Sequence, residues 1–143
     1  MTQRNKPWES YRKVATQTAT PGQLVLMLYD GALGFLEKAL TGFEQKDPLA
    51  FNQTINNNVL RAQAIIHEMN VSLNMQAGGD VAQNFRRLYN YLYGRLREAN
   101  RHKKREPIEE TIQRLRVLRD SWAEMLRRGG ECTPEKAMEA TAA

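Results

Sequence analysis

Cysteine is almost absent from this 143-residue chain: Cys132 stands alone. No internal disulfide can form, which fits a reducing compartment such as the cytosol. Histidine is nearly as scarce, with only His67 and His102, far apart in the chain. His67-Glu68 lacks a second histidine four residues on, so the zinc-peptidase pattern is missing. Neither histidine follows a glutamate by three residues, so the carboxylate-rich di-iron pattern of helical bundles is missing too. Cys132 follows Gly129-Gly130 and Glu131 in a small, polar C-terminal stretch, a poor setting for an activated nucleophile. Gly78-Gly79 is too short for a phosphate-binding loop and reads as a helix-terminating turn. No catalytic centre, metal site or cofactor is therefore expected. Long apolar runs are also lacking, and nothing approaches the roughly 20 residues that span a bilayer. Met1 to Trp8 is polar and basic with no apolar stretch behind it, so no secretory signal is expected.

What is present is punctuation and periodicity. With 41% hydrophobic residues the chain has enough apolar material to pack one domain. Thr20-Pro21-Gly22-Gln23 is a helix start, with Thr20 as cap, Pro21 at the first helical position and Gln23 completing a capping box. The sequence predicts a helix over 21–46. Asp47-Pro48 repeats the signal and opens a second helix over 48–70. An Asn- and Gly-rich loop leads to Asp80, a cap for a third helix over 80–100. Arg101 to Arg105 is a short charged link, and a fourth helix over 107–128 begins at Pro107 and stops at Gly129-Gly130. Residues 131–143 read as a flexible tail, or as a short helix capped by Thr133.

Three of these helices carry a single apolar stripe stepping by three or four residues. The second has Phe51, Ile55, Val59, Ala62, Ile66 and Met69; the third Val81, Phe85, Leu88, Leu92, Leu96 and Ala99. The fourth has Ile108, Ile112, Leu115, Leu118, Trp122 and Met125. No segment alternates apolar and polar residues as a half-buried strand would. The fold expected is all-α: an antiparallel, up-and-down four-helix bundle with a short N-terminal capping segment and, optionally, a short C-terminal helix.

Some apolar surface is left over. The first helix runs Leu24-Val25-Leu26-Met27-Leu28-Tyr29, then Ala32, Leu33, Phe35, Leu36, Ala39, Leu40 and Phe43, an arc wider than half the circumference. Leu60 lies opposite its helix's stripe, and Tyr91 and Tyr93 flank that of the third. Either the N-terminal segment covers this surplus, or it forms a groove for a partner's amphipathic segments. The two are compatible if the cover is removable.

Net charge is +5, and arginine and lysine crowd the second half from Arg86 to Arg128. Glu98, Glu106, Glu109, Glu110, Asp120 and Glu124 are interleaved with them, as on a solvated helix face, so nucleic acid is not the expected partner.

The residues also carry a resemblance. Tyr11-Arg-Lys-Val14 and Thr18-Ala-Thr-Pro-Gly-Gln-Leu-Val-Leu-Met-Leu-Tyr-Asp-Gly-Ala32 closely resemble the opening of the FliS family of flagellar secretion chaperones. The resemblance continues through Arg61 to Met69, Ser72-Leu-Asn74, Gly78-Gly79 and Leu88 to Asn100, and ends with Leu118-Arg-Asp-Ser-Trp122. The basic corner His102 to Arg105 and the tail after Gly130 depart from it. The resemblance implies a cytosolic chaperone, not an enzyme, that binds the C-terminal disordered region of flagellin and prevents premature polymerisation. It implies delivery to the flagellar type III export gate, with no cofactor and no stable membrane insertion. By motif position the client-binding candidates are Leu24, Leu28, Tyr29, Asn58, Arg61, Ala62, Ile65, Tyr89, Tyr91, Leu92, Arg95 and Asn100. Tyr11 and Val14 are candidates for the N-terminal cap. For each, a contact inside the bundle is the rival reading, and a helical interaction module with another client is the rival function.

Overall fold

The computed structural model describes residues 20–129, and all of its regular structure is helical. Four helices follow in order: α1 (Pro21–Gly42), α2 (Pro48–Val71), α3 (Met75–His102) and α4 (Glu106–Arg127). The Tyr11 and Val14 cap and the stretch after Gly129, with Cys132, lie outside the described residues.

Local chemistry sets the helix ends. Thr20 Oγ1 accepts from Gln23 N at 3.2 Å while Gln23 Oε1 accepts from Thr20 N at 3.1 Å, a closed capping box. Asp47 caps α2 through Ala50 N at 2.9 Å. α1 stops at Gly42 rather than Lys46, because the next amides tighten to i−3 bonds and Phe43 turns to meet Phe51 edge-on at 5.6 Å. The Asn- and Gly-rich loop contains one helical turn from Met75, interrupted at Gly79 (φ 54°, ψ −131°) before the long part of α3. That conformation is open to glycine and costly for other residues. α4 starts at Glu106, with Glu106 and Glu109 placing negative charge in its first turn, and Gly129 (φ 71°) ends it.

Cross-helix partners run in opposite directions along two seams. On α1/α4, Trp122 meets Gly22, Arg119 meets Asp30, Arg116 meets Glu37 and Arg105 meets Glu44. On α2/α3, Arg86 meets Asn70, Tyr93 meets Gln63 and Asn100 meets Asn56. Each helix packs on its chain neighbours, and α4 closes on α1. The result is the expected up-and-down bundle. Its centre is filled by Leu36, Ile55, Val59, Ile65, Ile66, Leu92, Leu96, Ile108 and Leu115, all fully buried.

α1 and α2 approach closely where Gly42 sits against α2. A Cβ there would lie 2.8 Å from Ile55 Cγ1 and 3.1 Å from the Ile55 backbone nitrogen. Gly42→Ala gains about 1 kcal/mol of helix propensity, but overpacking costs about 1–3 kcal/mol. The expected result is a net loss of stability, measured as a lower urea midpoint. A midpoint at or above that of the parent chain would mean that the helices separate freely here.

Candidate functional site

The twelve candidate residues do not gather in one place. Ala62, Ile65 and Leu92 are core, with 1% exposure or less. Tyr29 and Tyr89 are buried as well, and their hydroxyls bond to one another at 2.8 Å across the bundle, from α1 to α3. Burial pushes the Tyr29 phenol up to about 12, and the Tyr89 phenol is raised well above its ordinary value for the same reason. Asn58 is buried, and its amide donates to Thr54 O one turn back at 2.8 Å.

The remaining six are reachable and lie at four places on the bundle. Leu24 and Leu28 are half-buried in the first turns of α1. Arg61 is exposed on the α1/α2 side, its guanidinium 5.8 Å above the Phe35 ring. Tyr91 and Arg95 belong to the α3/α4 seam, where both meet Glu110. The Tyr91 hydroxyl donates to Glu110 Oε2 at 2.7 Å and Arg95 Nε donates to Oε1 at 2.8 Å. These bonds, Tyr91's first, hold the Glu110 carboxyl below the usual carboxylate range. Arg114 sits over the Tyr91 ring at 5.7 Å, so the exposed phenol is flanked by a cation and fixed by an acid.

Asn100 faces a groove between α2 and α3 of about 450 Å³. Leu60 lies beside it with 51% of its surface exposed, and Gln63 Nε2 braces one wall by donating to the Tyr93 carbonyl at 3.1 Å. Asn100 Nδ2 donates to Asn56 Oδ1 at 2.8 Å and its own Oδ1 accepts from Lys103 Nζ at 2.6 Å. Gln63, Asn56, Arg97, Arg101 and Lys103 were not among the candidates, although the displaced Leu60 and Tyr93 pointed to this seam. A second groove, about 380 Å³, runs between α1 and α4 past Leu40, Ile112 and the exposed Val117.

Among the described residues no cluster of three His, Cys, Asp or Glu could hold a metal ion, and no helix is long and apolar enough to cross a membrane. His67 and His102 are both exposed. What the geometry offers is shallow, partly apolar seams with fixed polar groups on their rims, a surface suited to another polypeptide.

Known proteins agree with that character. The family described as flagellar protein FliS matches residues 4–129. The chain is 32% identical over 120 residues to the flagellar secretion chaperone FliS of Bacillus subtilis, covering 84% of this chain and 86% of that one. It is 31% identical over 111 residues to the flagellar secretion chaperone FliS of Salmonella typhimurium, covering 78% and 80%. The Vibrio cholerae flagellar secretion chaperone FliS is 25% identical over 118 residues, covering 80% and 84%. A match across the whole bundle, from before α1 to the end of α4, places this chain in the FliS family, a family of flagellar secretion chaperones and not of enzymes.

Proposed function

We propose that this protein is a cytosolic export chaperone that binds the C-terminal disordered region of flagellin, prevents its premature polymerisation and aids its delivery to the flagellar type III export apparatus. The observation that carries the reading is that the bundle completes its own core and still leaves apolar side chains at open seams. Leu60 stands over the α2/α3 groove and Val117 over the α1/α4 groove, with more than half of each exposed. A flagellin terminus that would otherwise bury its apolar stripes against other flagellins can bury them here instead. Ordering the client costs conformational entropy, which keeps affinity per unit area modest and permits release.

Seven of the twelve arginines among the described residues are internally matched, which supports a protein client over a nucleic acid. Arg95, Arg105, Arg114, Arg116, Arg119, Arg127 and Arg128 each pair with a carboxylate. Calorimetry with a flagellin C-terminal peptide is expected to give a negative heat-capacity change, accompanied by a gain of client helicity in circular dichroism. Absence of binding, or a client that stays coil-like with no heat-capacity change, would overturn the reading.

A further inference from the structure

Of the cations that pair with no carboxylate, three come together at one place. Among the described residues Arg97, Arg101 and Lys103 line the α2/α3 groove together, and no Asp or Glu lines it. Arg97 lies over the Tyr93 ring at 5.5 Å, which orients the guanidinium without neutralising it. Arg101 is one helical turn further along α3, about 6 Å away. Lys103 is the one non-glycine residue with positive φ (52°) among those described. That conformation is strained for a side chain with a Cβ, and it is adopted where Nζ reaches back to donate to Asn100 Oδ1 at 2.6 Å. Asn100 is in turn held by Asn56, so the ammonium is anchored at the groove's end with donors to spare. Burial lowers its pKa, as expected of an ammonium partly out of water with no counter-charge.

We propose that the α2/α3 groove is the client's acidic subsite: it receives an amphipathic stretch that sets an aliphatic side chain on Leu60 and a carboxylate, about one helical turn away, among Arg97, Arg101 and Lys103. The inference rests on the client reading above and adds the chemistry of one bound segment. An apolar contact beside an unmatched cationic cluster selects a segment with both features, and the exposed Leu60 disfavours a purely ionic ligand.

The test is calorimetry of the full chain with a flagellin C-terminal peptide and with the same peptide carrying Asn and Gln for its Asp and Glu. Arg97→Gln/Arg101→Gln is expected to weaken binding of the acidic peptide about tenfold. It should leave the neutralised peptide nearly unaffected, and the difference should shrink from 50 to 500 mM salt as the Debye length falls about threefold. Arg97→Lys/Arg101→Lys, which keeps the charge, should retain most of the affinity. Lys103→Gly relieves the positive φ, so it should melt higher than the parent while binding the acidic peptide several-fold more weakly. A purely structural role for Lys103 would not produce that divergence. Unchanged affinity in the double variant, with the parent chain still binding the peptide, overturns the acidic subsite and leaves the client reading standing. Failure of the parent chain to bind either peptide overturns both. Binding of a 20-base-pair DNA duplex that the double variant loses, with peptide affinity unmoved, reassigns the cations to phosphates and overturns the proposal.

Discussion

Trp122→Ala is expected to cost about 3–5 kcal/mol of folding stability, the range for truncating a buried tryptophan. The side chain is buried, and its Nε1 donates to Gly22 O at 2.7 Å across 100 residues of sequence. It therefore fastens the end of α4 to the start of α1, where Leu126 also packs close to Gly22. Alanine removes both the apolar filling and the long-range bond. Trp122→Phe keeps much of the filling and loses the bond, so it should cost about 1–2 kcal/mol. Urea unfolding of the three proteins with an unchanged slope separates the effects. A Trp122→Ala protein within 1 kcal/mol of the parent would mean that this end of the bundle closes without the indole.

The second large effect concerns two neighbours, Leu92 and Tyr91. Leu92 has no exposed surface, and its truncation to alanine should cost about 2–5 kcal/mol, with the melting point falling by on the order of 10 °C or more. Tyr91 has 47% of its surface exposed and reaches Glu110 over the α3/α4 seam. Tyr91→Ala should leave the melting point almost unmoved and weaken binding of a flagellin peptide. Thermal melts and calorimetry below the melting point of both variants read the two quantities independently. If Leu92→Ala binds the peptide normally once folded, its place is structural. If the two variants lose equal stability, Tyr91 is a packing residue after all.

The contrast between these neighbours marks what was legible in the sequence. Helix starts were legible because a capping box or an Asp-Pro pair acts within three residues, as Thr20 with Gln23 and Asp47 with Ala50 demonstrate. The stripes were legible because a helix in a bundle must bury one face, and Val59, Leu96 and Leu115 do so completely. The width of the buried face was not. α2 packs between α1 and α3, so its buried arc takes in Ile65 as well as Ile66, and even Gln63 once the Tyr93 carbonyl satisfies its amide. The division of site from core failed to appear for the same reason. A motif of mixed apolar and polar residues names positions that matter, and only packing says whether Ile65 and Leu92 matter by filling the centre or Arg61 and Asn100 by facing outward. The unmatched cations required distances too, since Arg95 and Arg97 look alike in sequence and only Arg95 finds carboxylates.

The paired phenols of Tyr29 and Tyr89 give the bundle a proton economy of its own. Both prefer their neutral form in the folded protein, because burial disfavours the phenolate. In the unfolded chain each ionises near its ordinary value of about 10. Above that pH the unfolded state releases protons that the folded state retains, so stability falls as pH rises, and for Tyr29 the fall continues until the folded phenol itself ionises near 12. Alkali therefore acts on this protein from the inside as well as at its surface, through two hydroxyls that join α1 to α3.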